Sequence, residues 1–147
     1  MRFRYAFQKI VDLKASEKTQ AEWELSHAVG KLQVEEQMLS GLHSEKSELQ
    51  TNLSSATQET VTVSDLMHYQ TYLNHIDRRI SQKDADVRSA QQRVNHERQQ
   101  LTAKMVEEKV WTTARDKAKR LFVHAEQRKE QGAIDEMATM RSKRLSY

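Results

Sequence analysis

The sequence predicts an all-α fold, an antiparallel two-helix coiled-coil hairpin whose C-terminal helix extends past the N-terminus. Three observations predict it: a chain without proline, an apolar repeat of alternating three- and four-residue steps in each half, and one short break between the halves. The 147 residues include no proline, no cysteine and only three glycines (Gly30, Gly41, Gly132). Proline breaks helix interiors and glycine weakens them, so their scarcity leaves long helices open. Charged residues make up 31% of the chain and aromatic residues 6%. That is too little apolar volume for a broad globular core and enough for a narrow coiled-coil seam, in one elongated domain spanning 1–147.

Helix 1 is expected over about 3–57. Placing a positions at 4, 11, 18, 25, 32, 39, 46 and 53 and d positions at 7, 14, 21, 28, 35, 42, 49 and 56 makes eleven of the sixteen apolar, among them Phe7, Val11, Leu25, Leu32, Leu39, Leu42, Leu49 and Leu53. A seam sustained over eight heptads marks a coiled coil. The pattern then stops at Thr57-Gln58-Glu59-Thr60-Val61-Thr62-Val63-Ser64-Asp65, where β-branched side chains disfavour helix and Thr62 or Ser64 can cap a new one. The turn is expected over about 58–64.

Helix 2 is expected over about 65–140. Its seam reads Leu66, Tyr69, Leu73, Ile76, Ile80, Lys83, Val87, Ala90, Val94, Glu97 and Leu101, nine of the eleven apolar. A short connection between long helices favours antiparallel neighbours. With Leu53 facing Tyr69, paired residue numbers add to 122, which sets Leu49 against Leu73, Leu42 against Ile80, Leu32 against Ala90 and Ala21 against Leu101. The same rule puts Lys18 opposite Lys104 and Lys14 opposite Glu108, a breach in the seam. Beyond it the apolar positions shift phase to Trp111, Ala114, Ala118, Leu121 and Ala125, so the open end is expected to splay or overwind. Met1 falls opposite about position 121, leaving an overhang of roughly 26 residues, about 39 Å of helix.

Function classes narrow quickly. Without cysteine there is no disulfide framework and no thiolate chemistry. No glycine-rich phosphate loop, nucleophile elbow or metal motif occurs, and the six histidines (27, 43, 68, 75, 96, 124) are dispersed, so neither catalysis nor a cofactor nor a metal is expected. No apolar run approaches the ~20 residues of a membrane span. The basic start Met1-Arg2-Phe3-Arg4 leads into no continuous apolar stretch, so a cytoplasmic protein without direct membrane insertion is expected. Net charge is +3; residues 1–58 hold seven Lys/Arg against eight Asp/Glu, and 59–147 hold seventeen against thirteen. An excess this small, mixed with acids, reads as solvated helix surface rather than a nucleic-acid footprint.

Seam residues Lys46, Lys83, Glu35 and Glu97 are expected to lay their stems along the seam with their heads in water, a register-fixing role being the alternative. Trp23 falls at an f position, away from the seam, where an indole suits an interaction anchor or lies over neighbouring side chains. Met67 and Tyr72 near the turn, with Phe3, Tyr5 and Ile10 at the open end, give both ends apolar surface.

The opening Phe3-Arg4-Tyr5-Ala6-Phe7-Gln8-Lys9-Ile10-Val11-Asp12-Leu13-Lys14, the stretch Glu126-Gln127-Arg128-Lys129-Glu130-Gln131-Gly132-Ala133-Ile134-Asp135-Glu136-Met137-Ala138, and Tyr69-Gln70-Thr71-Tyr72-Leu73 near the turn together resemble the flagellar FliJ family. Gly132 stands where that pattern has a basic residue. The resemblance implies a small cytoplasmic coiled-coil hairpin of the flagellar type III export apparatus, similar to the central stalk of rotary ATPases. It would be held to the inner face of the cell membrane through partners. Its open end would enter the ring of the export ATPase hexamer and promote that hexamer, with Phe3, Phe7, Val11, Arg115, Lys119, Asp135 and Glu136 in the ATPase-facing part. Residues flanking the turn (Leu49, Tyr69, Tyr72, Ile76) would face the cytoplasmic part of the export-gate membrane protein. The leading expectation is a non-catalytic stalk and coupling protein. An escort for export substrates or their chaperones, docking through Trp23 and the apolar tip, is the first alternative. A nucleic-acid or membrane-surface binder using the basic C-terminal helix is the second, and the acids at 126, 130, 135 and 136 count against it.

Overall fold

The structure, a computed structural model, describes residues 2–145. It consists of two helices, α1 (Gln8–Ala56) and α2 (Val63–Leu145), with no strand among the described residues. They run antiparallel in contact, as a coiled-coil hairpin, and α2 continues past the point where Phe3 meets Phe122. Contacts gather in two units, one of Met1–Thr19 with Ala103–Tyr147 and one of Gln20–Thr102.

The Gln20–Thr102 unit carries the apolar seam. Every a and d position of α1 from Ala21 to Ala56 is buried or half-buried, as is every seam position of α2 from Tyr69 to Leu101. Leu66 is exposed instead, one turn after α2 begins. Ala28, Leu32, Ala90 and Val94 form the central cluster, with Leu25, Val29 and Val87 against it. Only Ile76 and Val94 fall below 2% exposure, so the core is one side chain deep. The polar seam residues do not simply reach for water. Lys83 Nζ lies 2.9 Å from Glu35 Oε2 and Lys46 Nζ 2.7 Å from Asp77 Oδ1, both across the helix pair. Glu97 is buried and takes Arg93 Nε at 2.9 Å along its own helix. The hydrogen bond to Glu35 raises the pKa of Lys83 against the opposing effect of burial. Each cross-pair matches one lysine to one acid, so sliding the helices by a turn would separate them.

The break between the helices is local chemistry. Thr57 N–H still donates to Leu53 O at 3.0 Å, while its hydroxyl donates to Ser54 O at 2.8 Å, competing with the helix and closing its last turn. Thr62 restarts the chain: its hydroxyl accepts the Asp65 N–H at 3.2 Å, the N-cap expected from the sequence. Asp65 in the first turn and Lys143 and Arg144 in the last suit the helix dipole.

Boundaries differ most at the N-terminus. Helix 1 was expected from about position 3 but starts at Gln8, whose N–H donates to Tyr5 O at 3.2 Å in a tight turn. A helix through Phe3, Tyr5 and Phe7 would scatter three aromatic rings around its circumference. The non-helical segment instead turns them towards one another and towards α2. At the far end α2 reaches Leu145, past the expected 140, and it starts at Val63 rather than 65.

Candidate partner-binding surfaces

The unit of Met1–Thr19 with Ala103–Tyr147 holds all seven residues expected to face an ATPase. Within it the first helix and α2 neither splay nor change phase. The three- and four-step spacing that reaches Leu101 runs on through Lys104, Glu108, Trp111, Arg115, Ala118 and Phe122, all half-buried, whereas Ala114, Leu121 and Ala125 are exposed. The expected phase shift followed apolar identity, but here the inward face is polar at three of six positions. Phe122 was hidden by those polar neighbours; continuing the spacing would have found it.

The Lys18–Lys104 clash does not arise, because acids are interleaved. Lys14 Nζ lies 3.1 Å from Glu107 Oε2 and 3.5 Å from Glu17 Oε2. Lys104 Nζ lies 3.2 Å from Glu17 Oε2 and 3.8 Å from Glu107 Oε2. Lys18 Nζ lies 3.2 Å from Glu108 Oε2, a buried oxygen that takes no aligned hydrogen bond. Three lysines and three glutamates make a neutral, half-buried clasp where an apolar layer is missing. The Lys104 hydrogen bond holds the Glu17 carboxyl below its ordinary range, and the Glu107 hydrogen bond holds the Lys14 ammonium above its own.

The signs set a pH window. The Glu17 contribution is complete above the ordinary carboxylate value of 4.5 and is lost as pH falls through its lower folded value. The Lys14 contribution is complete below 10.5 and is lost as pH rises through its higher folded value. In a Trp23→Phe variant, emission of the remaining Trp111 is therefore expected to stay constant through neutral pH and change only below the ordinary carboxylate value of 4.5. Glu17→Gln should remove much of that acid transition; an unchanged profile would count against the clasp.

Next to the clasp, a line of aromatic rings fastens the N-terminal segment to α2. Phe122 meets Phe3 at 5.4 Å, Phe3 stacks on Tyr5 at 6.5 Å, Tyr5 meets Phe7 edge-on at 5.7 Å, and Phe7 meets Trp111 edge-on at 6.0 Å. Each contact adds about 0.5–1.5 kcal/mol beyond area burial. Phe7 nonetheless keeps half its surface exposed. Val11 is buried in the helix pair, and Arg115 is half-buried with its guanidinium 3.5 Å from Asp116. Lys119, Asp135 and Glu136 are exposed. All residues from 127 to 145 are exposed, and Ile134, Met137, Met140 and Leu145 among them are large and apolar.

At the turn of the Gln20–Thr102 unit, a groove of about 640 Å³ is lined by Leu49, Ala56, Val61, His68, Tyr69 and Tyr72, among others. Tyr72 is 44% exposed, and its hydroxyl donates to Glu45 Oε1 at 2.6 Å, bracing the ring across the helix pair. That hydrogen bond raises the Tyr72 pKa. In ultraviolet titration Tyr72 should ionise above the ordinary phenol value of 10.0, and Glu45→Gln should bring it earlier. Leu49 and Tyr69 are half-buried, and Ile76 is fully buried, so its side chain serves the helix pair. Trp23 is 59% exposed, as its f position implied. Among the described residues no group of three or more metal-binding side chains converges, and no helix is long and apolar enough to cross a membrane.

A clasped helix pair with an aromatic-fastened N-terminus and a long exposed terminal helix can be set beside known proteins. The family model for the flagellar FliJ protein matches residues 3–145. The chain belongs to the flagellar FliJ family. That makes this FliJ-family chain a component of flagellar protein export, within a family of non-catalytic export components. The Flagellar FliJ protein of Bacillus subtilis (strain 168) is 25% identical over 138 residues, covering 94% of each chain. A solved structure described as a YscO homolog, CT670 of Chlamydia trachomatis, has the same fold at a TM-score of 0.56 and 17% identity. It covers 97% of this FliJ-family chain and 96% of its own.

Proposed function

We propose that the chain is a stalk and coupling protein that binds the ring of the export ATPase and the export gate. The observation that carries the first half is the exposed stretch of α2 from 127 to 145, with Ile134, Met137, Met140 and Leu145 uncovered beyond the aromatic fastening. A monomeric protein rarely leaves so much apolar surface in one place without a partner for it. Phe3, Phe7 and Val11 would hold the end of the helix pair firm. Lys119, Asp135 and Glu136 would meet the ring as exposed charges, and Arg115 would reach it from the edge of the seam. Mixed exposed charges give contacts of about 0–1 kcal/mol each, weak enough to be exchanged among the subunits of a ring.

The gate contact is assigned to the groove at the turn. Tyr72 and Tyr69 offer large, rigid, amphipathic surface there, the composition of interface anchors, and Leu49 floors it. Ile76 is fully buried, so it would act there only by holding the helix pair together. Through these two contacts the chain would associate with the inner face of the cell membrane without entering it.

The test adds the purified chain to purified export ATPase and follows hexamer formation and ATP hydrolysis. Both should rise. No change in either would sink the ring half of the reading, and Tyr72→Ala should leave both unchanged while weakening capture by the cytoplasmic part of the gate.

A further inference from the structure

On the outer face of α1, turned away from the seam, positions 23, 27, 30, 34, 37 and 41 repeat at four and three residues and are all exposed. Trp23 and His27 stack there with ring centroids 5.2 Å apart and planes 5° from parallel, so the imidazole covers part of one indole face. Val34 is exposed between two glycines. A Cβ added at Gly30 or at Gly41 would meet nothing within 4 Å. Neither glycine adopts positive φ, so neither is needed for a turn. Each weakens an exposed helix interior by about 1 kcal/mol relative to alanine. A groove of about 500 Å³ beside them is lined by Trp23, Ser26, His27, Gly30, Lys31 and Val34.

We propose that two copies of this chain pair antiparallel through this face, with Trp23 of each seated over Gly41 of the other. The argument is one of register. When paired residue numbers add to 64, Trp23 faces Gly41, His27 faces Gln37 and Val34 faces Gly30, and the two-fold repeats each pair. Both large apolar side chains then meet the open space of a glycine. A parallel pairing would set Trp23 on Trp23 and Gly30 on Gly30, crowding one layer and emptying the next. The same antiparallel register closes on itself, leaving no free end to propagate a filament.

The pairing brings no acid against a base: Glu24 lies against the neutral Ser40, and Gln20 and Ser44 end the stripe. Lys31 alone comes beside its own copy, next to the two-fold axis, so added salt should tighten the pair by screening that repulsion. The stripe spans only about 27 Å of helix, so the contact belongs at the weak end of specific interfaces, with dissociation in the range of roughly tens of micromolar.

Sedimentation equilibrium of the full chain from low to several hundred micromolar tests this. A monomer–dimer equilibrium is expected, tighter at high salt, and weakened about ten-fold or more by Trp23→Ala. Gly41→Leu should weaken it as much, although leucine strengthens an exposed helix, so that loss cannot be ascribed to unfolding. The chain has no cysteine of its own. Gln33→Cys, beside the axis, should therefore form an intermolecular disulfide readily, and Gln20→Cys, which faces Ser44, should not. A chain monomeric throughout, a dimer indifferent to Trp23→Ala, or equal cross-linking at positions 20 and 33 would each overturn the proposal.

Discussion

Val94→Asp is expected to unfold the Gln20–Thr102 unit under conditions where the unmodified chain is fully helical. Val94 is 1% exposed and sits in the cluster of Ala28, Leu32 and Ala90. Two of those neighbours are alanines, so the helices are close there and an aspartate has no room to bend towards water. The substitution removes buried apolar surface and leaves a carboxylate facing Ala28, Leu25 and Val29. The nearest cation in sequence, Arg93, reaches along its own helix to Glu97 at 2.9 Å and does not cross the helix pair, as Lys46 does at Ile76. Together these effects cost about 3–5 kcal/mol, a large part of the ~5–15 kcal/mol that holds an ordinary domain folded.

Ile76→Asp supplies the internal comparison. Ile76 is more deeply buried than Val94, so burial alone would make it the worse site. Yet the pairing rule sets it opposite Lys46, whose ammonium already lies 2.7 Å from the adjacent Asp77. A carboxylate at position 76 has a cation within reach, and part of its desolvation is offset. Thermal melts followed by circular dichroism should rank Val94→Asp below Ile76→Asp. The reverse order would mean that depth of burial, not the local absence of a counter-charge, governs this seam.

That contrast also shows what was readable in the chain. Alternating spacing placed the seam from Ala21 to Ala56 and from Tyr69 to Leu101, because there burial and apolar identity coincide at all positions but Glu35, Lys46, Lys83 and Glu97. They part company at Lys14, Lys18, Lys104 and Glu108. A reading that equates inward with apolar must find a breach and then look for a new phase at Leu121 and Ala125, both of which are exposed. The inward position is instead Phe122, and the layer between is closed by ion pairs whose partners, Glu17 and Glu107, lie one step off the seam. Such a clasp leaves no mark in hydrophobic spacing; its trace is a local balance of three lysines and three glutamates at pairing distance. The N-terminal aromatic line was hidden for a different reason. Phe3, Tyr5 and Phe7 alternate with a period of two, which is not a helical period, and that alternation is the sign that the helix starts after them. The surfaces proposed for partners were legible as unused apolar residues, Trp23 and Tyr72 among them. Ile76 and Val11, which the family resemblance put among the contact residues, are buried in the helix pair.

Ending the chain after Val123 is expected to leave melting of the Gln20–Thr102 unit unchanged and to lower stimulation of the export ATPase about ten-fold or more. The segment removed includes every residue from 127 to 145, all exposed, so the helix pair loses no buried contact with them. An isolated helix of ~20 residues is marginal in water, and Gly132 weakens this one further. Amide hydrogens over 127–145 should therefore exchange within seconds in the free chain and slow markedly when the ATPase is added, since ordering them is a cost that only a partner offsets. Gly132→Ala separates this from a purely disordered tail. It should add about 1 kcal/mol of helix stability and raise affinity for the ATPase by up to about five-fold, because less ordering remains to be done on binding. If the truncated chain stimulates hydrolysis as well as the full one, the ring must instead be engaged by the aromatic end itself, through the exposed half of Phe7 and the charges around Lys119. Phe7→Ala in the truncated chain would then be the variant that loses activity.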